Sequence, residues 1–183
     1  MKKLSLILIL FFFAACSQGS SSVSPSDTVH SFLTHIQMGE YEEAQGLIVD
    51  ESPLALYEIE EEYRGIFNNL SFGDIVSEEI NGASSYVRLT VKALDFASLM
   101  EEVMTEAFVW IFSDITSTEL SEKIKELLIE KINAEYPPII SSDVSVNLVR
   151  QEGRWKIAMD YSFADAVTGG MISFAEYAGQ WLS

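Results

Sequence analysis

Cationic side chains are scarce in this chain, with 11 Lys and Arg against 28 Asp and Glu in 183 residues. Nucleic acids and anionic lipid heads are held by Lys/Arg patches, so an acidic surface of this kind repels both, and no nucleic-acid partner is expected. Histidine is rarer still. His30 and His35 lie about 140° apart around a helix axis at roughly 100° per residue, so they do not form the i, i+4 pair that grips zinc, and a structural or surface role is expected for each. Cysteine occurs once, at Cys16, which rules out an internal disulfide. A Gly-x-Ser-x-Gly elbow, a phosphate-cradling glycine loop and an EF-hand loop are all missing. The sequence implies no cofactor and no metal, and no nucleophile beyond that single thiol.

Long hydrophobic runs are also few. The longest, Leu6 to Ala15, follows Lys2 and Lys3 and gives way to the polar stretch Ser17 to Ser22. It falls short of the ~20 apolar residues needed to cross a hydrocarbon core and matches the charged n-region and short h-region of an export signal. Its end, Phe13-Ala14-Ala15-Cys16, resembles the lipobox of bacterial lipoproteins, with Phe13 where Leu is commonest. The resemblance implies cleavage between Ala15 and Cys16, a diacylglyceryl group on the Cys16 thiol, and further acylation, with palmitate-type chains, of the new N-terminus. An ordinary secretory leader would instead leave Cys16 as a free exposed thiol. Lipidation accounts directly for an odd cysteine in an exported chain. At about 0.8 kcal/mol per buried CH₂, two or more acyl chains make attachment to a membrane stable.

The expected organisation is a signal peptide over residues 1–15, a lipidated cysteine with a flexible Ser-rich tether over 16–25, and a single domain over 26–183. The tether composition cannot bury enough apolar surface to order itself. Removing the signal with its two lysines leaves 9 basic residues against 28 acidic, a formal charge of −19. That surface suits solubility beside an anionic envelope, on the extracytoplasmic side of a membrane.

Within the domain, Ser26 or Asp27 is placed to cap a helix carrying Val29, Phe32, Leu33 and Ile36 and ending near Gly39. A second helix is expected from Glu40 to about Leu47, and Pro53 opens a third stretch through Leu54 and Tyr57 towards Gly65. A hairpin follows, with strands near Phe72–Glu79 and Ser84–Leu94 around Asn81-Gly82, the strongest short hairpin signal. Phe96 to Phe112 is the strongest amphipathic helix, with Asp95 as its cap and Leu99, Met100, Val103, Met104, Ala107, Phe108 and Ile111 on its stripe. A long helix after Ser117-Thr118 is stopped by Pro137-Pro138 and pairs antiparallel with it. A second hairpin joins Val144–Arg150 to a strand through Trp155, Ile157, Met159 and Tyr161, and the tail, divided at Gly169-Gly170, ends in a helix.

Two clusters invite metal chemistry. Glu58 to Glu62 carries four carboxylates, but consecutive helical residues fan out around the axis, so a solvated face is expected. Met100 and Met104 lie one turn apart and could serve as soft copper ligands. Without His or Cys beside them, packing in the core is the simpler expectation.

The segments Gly39-Glu40-Tyr41-Glu42-Glu43-Ala44 and Val146 through Gly153-Arg154-Trp155-Lys156-Ile157 resemble motifs of small exported lipoproteins in the nuclear-transport-factor-2-like superfamily. The resemblance implies an α+β fold, with N-terminal helices packed on a curved antiparallel sheet, cone-like around a pocket. The long helical pair between the two hairpins exceeds a minimal cone. Enzymatic members that resemble cyclases, isomerases or dehydratases use Asp/His or Asp/Tyr sets inside the cone. Here Asp74, Tyr86, Asp95, Trp110 and Trp155 are the candidate pocket residues, with Asp160 on the last strand. None lies in a motif that matches residue by residue, so no catalytic role is carried over. The sequence favours a non-catalytic module that engages a small apolar ligand, a peptide or another envelope protein over a cone-fold enzyme working through a pocket carboxylate.

Overall fold

The computed structural model describes residues 23–49, 52–54, 56 and 60–182. Ala15, Cys16 and most of the tether lie outside the described residues. Helix α1 (Pro25–Met38) is capped by Ser24, earlier than either Ser26 or Asp27. The Ser24 hydroxyl accepts from the Asp27 backbone N–H and the Asp27 carboxylate accepts from the Ser24 N–H, a reciprocal capping box. These bonds to Ser24 hold the Asp27 carboxyl below its usual range. Pro25 sits at the first helical position, where its missing N–H has no intrahelical partner to lose. Gly39 ends the helix at φ 75°, its N–H and that of Glu40 donating back to the Ile36 and His35 carbonyls.

Helix α2 (Tyr41–Gln45) is shorter than expected. The third helical stretch does not open at Pro53: residues 52–54 are irregular, Leu56 is in a 3₁₀ turn, Tyr57 lies outside the described residues, and a 3₁₀ helix runs over Glu61–Phe67. In that helix Gly65 lies so close to the end of a later helix that a Cβ there would stand 2.7 Å from the Ile132 side chain.

The sheet is antiparallel and curls into a half-barrel. Its strands are β1 (Ser71–Phe72), β2 (Ser77–Asn81), β3 (Ser84–Leu94), β4 (Ile139–Gln151) and β5 (Arg154–Ile157). Strands β1 and β2 both pair with β3, which pairs with β4, which pairs with β5. The single strand expected at Phe72–Glu79 is broken, because the register passes from Phe72↔Val91 to Ser77↔Arg88 and leaves Gly73 to Val76 opposite only Leu89 and Thr90. Such a bulge bends the strand and re-aims its side chains. At the opposite edge, Ile48 forms a parallel bridge with Ile157.

Period-two alternation decides what the sheet buries. Val87, Leu89, Val91 and Ala93 of β3, Val144, Val146 and Leu148 of β4, and Trp155 and Ile157 of β5 are buried on one face. Against them pack Val29, Phe32, Leu33 and Ile36 of α1, and Phe163, Ala164 and Val167 of α5 (Tyr161–Val167). The Phe32 and Phe163 rings meet at 5.8 Å. The last strand stops at Ile157 instead of running to Tyr161: Asp160 accepts from the Phe163 N–H at 2.9 Å and turns the chain into α5. Helix α6 (Met171–Leu182) follows. Partial burial, aided by the Glu176 and Asp165 carboxylates, pushes Tyr161 up to about 12.

Helices α3 (Phe96–Ile111) and α4 (Ser117–Ile132) form the expected pair, joined by the Lys131 contacts to Glu106 (2.5 Å) and Glu102 (3.4 Å). Thr116 and Glu119 make a second capping box at the start of α4. The apolar stripe of α3 is wider than the face that the body of the domain covers. Leu99, Val103 and Ala107 are buried, and Met100 packs partly on the core. Met104, Phe108, Ile111 and Phe112, expected on the same core face, are exposed. No described helix is long and apolar enough to cross a membrane.

The turn between α5 and α6 is sterically closed. Gly169 sits at φ 64°, and a Cβ there would lie 1.6 Å from the Leu94 carbonyl oxygen. Gly169→Ala is expected to cost roughly 3 kcal/mol or more, a fall in Tm on the order of 10 °C. Gly153→Ala, at φ 80° with open space around it, should cost only about 1 kcal/mol. Thermal unfolding of the two variants checks the difference.

Candidate functional site

Among the described residues, the inner side of the curled sheet is packed with the protein's own side chains. Phe32, Phe67, Phe163, Leu33, Ile36, Leu94 and Leu148 are among its fully buried members. The buried polar residues are Thr28, Ser85 and Thr168. Their hydroxyls donate to the carbonyls of Ser24, Glu79 and Ala164 at 3.0, 2.8 and 3.0 Å. No carboxylate or imidazole among the described residues is buried.

Open hollows lie at the rim and on the outer face of the sheet instead. One, of about 220 Å³, sits at the strand bulge and is lined by His30, Phe72, Gly73, Asp74, Ile75 and Leu89. The bulge brings Asp74 to the same hollow as His30, whose ring stands edge-on to Phe72 at 5.1 Å. Spacing along the helix could not show this: within it His30 meets only the Thr34 hydroxyl at 3.4 Å, and Phe72 and Asp74 come from outside it. His35 instead meets the Glu40 carboxylate at 2.6 Å.

Two further hollows lie on the polar face of β2, β3 and β4. Arg88 and Ser145 line both. One, of about 280 Å³, adds Ser77, Glu79 and Tyr86. The other, of about 410 Å³, adds Val76 and Asp143. The Thr90 hydroxyl donates to Asp143 at 2.6 Å across the β3–β4 pair. This surface offers hydroxyls and both signs of charge, chemistry suited to hydrogen-bonded recognition of a polar ligand.

The five candidate pocket residues do not converge. Asp74 is at the bulge and Tyr86 projects from the outer face, 45% exposed. Asp95 caps α3, accepting from the Ser98 N–H at 3.1 Å and from its hydroxyl at 2.8 Å. Trp110 lies near the outer end of α3 under the Lys123 ammonium, 5.4 Å from the ring centroid. Trp155 is buried on β5, opposite Arg150, whose guanidinium sits 5.6 Å from its ring. Asp160 accepts from the Asn147 amide at 2.7 Å and caps α5.

The motifs singled out in the sequence have structural work. Tyr41 packs on Phe67 at 5.7 Å and beneath Arg64 at 4.9 Å, and Ala44 is fully buried. Gly153 supplies a positive φ for the hairpin turn before Trp155 and Ile157 enter the core. Of the glutamate run, Glu62 pairs with Lys125 at 2.5 Å, Glu60 and Glu61 are exposed, and Glu58 lies outside the described residues. No group of three or more His, Cys, Asp or Glu converges among the described residues.

No protein-family model matches this chain, and no curated protein does. Solved structures similar to it include a protein termed a lipoprotein, from Bacillus subtilis, with 17% identity and a TM-score of 0.44, the match covering 75% of this chain and 44% of the other. This chain thus spans less than half the length of that protein. An LEH-like epoxide hydrolase from M. tuberculosis matches with 11% identity and a TM-score of 0.33, over 83% of this chain and 95% of the other. Likenesses this distant assign no activity or ligand.

The capping geometry gives Asp95 a structural role that can be measured. Asp95→Ala should lower stability by about 1 kcal/mol, whereas Asp95→Asn, which keeps a capping oxygen, should lose only a fraction of that. Denaturant titration of both variants checks it.

Proposed function

We propose that this chain is a lipid-anchored module of the bacterial cell envelope, held on the extracytoplasmic side of a membrane by acyl chains on Cys16. Its nuclear-transport-factor-2-like cone serves as a non-catalytic binding or interaction unit. The observation that carries the second half is the filled cone. Acid–base chemistry of the kind used inside such cones needs a titratable group facing a cavity. Here the buried side chains among the described residues are apolar apart from three hydroxyls, each bonded to a backbone carbonyl. Recognition then falls to the outer surface, where Tyr86, Arg88, Glu79 and Asp143 border open hollows. An envelope protein or peptide fits that polar face better than a small apolar ligand.

The anchoring half rests on Lys2, Lys3, the apolar run to Ala15 and the Ala14-Ala15-Cys16 sequence. Cys16→Ser should leave the precursor uncut by lipoprotein signal peptidase and abolish incorporation of labelled fatty acid. Unchanged labelling would refute the anchor.

One observation favours a second reading, a cone-fold enzyme of isomerase, cyclase or dehydratase type. Asp74 and His30 line the same hollow, a carboxylate and an imidazole within one small site. This reading requires turnover of a substrate that is lost in both Asp74→Asn and His30→Gln. Turnover indifferent to both changes removes it.

A further inference from the structure

The α3–α4 pair stays against the body of the domain as far as Trp110 and Ile124, which pack partly on the core, and Lys125, which pairs with Glu62. From Ile111 to Lys123 no residue is buried or packed on that core, so the end of α3, the connecting turn and the first turns of α4 form an exposed arm. Its tip is apolar: Phe108 is 58% exposed, Val109 66%, Ile111 52% and Phe112 75%. The Phe108 and Phe112 rings stack edge to face at 5.0 Å. Between Glu106 and Glu119 the only charged residue is Asp114. A contiguous exposed apolar surface on an otherwise acidic protein marks a place where something docks.

We propose that this tip docks on the bilayer that carries the acyl chains of Cys16, inserting Phe108, Val109, Ile111 and Phe112 into its interfacial region. The inference rests on the lipid-anchor reading above. The chain from Cys16 to the Ser24 cap of α1 is short; fully extended at 3.3–3.6 Å per residue it reaches roughly 30 Å. A domain of this length has a radius of gyration of about 15 Å, so the tether keeps the arm within about two domain diameters of the membrane. Tethering on that scale gives an effective concentration on the order of millimolar, at which a modest apolar contact is occupied.

The charge balance selects the mode of contact. With 28 acidic residues the domain gains no attraction from anionic lipid heads, so the surface that can approach is the one where charge is thinnest. Phe, Ile and Val then enter the acyl boundary as on an interfacial helix. Trp110, half-buried beside them, is placed at head-group level, where its amphipathic ring is favoured. A second copy is a poorer occupant. Apposing two arms would bring together the carboxylates at both tips, Asp114 between the helices and Glu119 and Glu122 on α4.

The test uses the acylated full chain in phosphatidylethanolamine/phosphatidylglycerol vesicles whose acyl chains carry bromine, a contact quencher of tryptophan. The emission lost on changing Trp110→Phe isolates Trp110 from Trp155 and Trp181. Docking predicts that Trp110 emission is roughly halved by the brominated chains. It also predicts that Phe108→Ser/Phe112→Ser abolishes the quenching while the protein still sediments with the vesicles through Cys16. Both Phe108 and Phe112 are exposed, and an unchanged Tm confirms that the double variant is folded.

An acylated, vesicle-bound chain with unquenched Trp110 overturns docking alone, as does quenching that the double variant leaves intact. Shielding of Trp110 from both brominated chains and aqueous iodide that fades as the protein is diluted means that arms pair between copies, and also overturns it. A mass spectrum showing no acyl group on Cys16 overturns the anchor, and docking with it.

Discussion

The pairing of β3 with β4 is the interaction on which the rest of this structure depends. Every residue from Ser84 to Leu94 has a partner between Val149 and Ile139, although the two strands are separated in sequence by the whole α3–α4 arm. Closing so long a loop costs conformational entropy, but that cost grows only slowly with length. The apolar faces of the two strands recover it by burying against α1 and α5. The seam is tight at its far end. The Asp95 N–H donates to the Pro138 carbonyl at 2.8 Å, and the Phe96 N–H to Gly169 at 2.9 Å. The α3–α4 pair therefore leaves and re-enters the sheet at one point, so its insertion does not disturb the β3–β4 ladder.

Local signals carried the elements whose cause is local. Asn81-Gly82 marks the first hairpin, the alternation of Val87, Leu89 and Val91 the inner face, and Asp95 the start of α3, each resting on a few adjacent residues. The misses are of another kind. Ser24 outcompeted Ser26 as the cap because Asp27 stands three residues beyond it and completes the box. The bulge at Gly73 to Val76 depends on what β3 presents across the pair, information that a single strand does not contain. The periodicity of α3 reports only that its apolar residues align in a stripe. Whether a neighbour covers them is decided by where the rest of the chain ends.

The candidate site was less legible for the same reason. Asp95 and Asp160 are carboxylates near strand ends, which is where pocket residues sit and equally where helices begin. Their partners, the backbone of Ser98 and Phe163, show which role each plays. The hollow that His30 and Asp74 share joins a helix to a strand bulge and has no signature in either segment. Conversely, Trp155 was visible as a conspicuous aromatic but serves the core.

The two rims of the sheet have an unequal finish. Along β5 the passing chain covers the outermost strand, the Val49 N–H donating to Ile157 and the Ile157 N–H to Leu47. Along β1 and β2 the ladder is interrupted by the bulge and bordered by Glu78 and Glu79. Neither rim therefore offers a straight, uncharged row of free amides and carbonyls to another chain. Rims that refuse to template a neighbouring strand protect the protein from polymerising sheet to sheet.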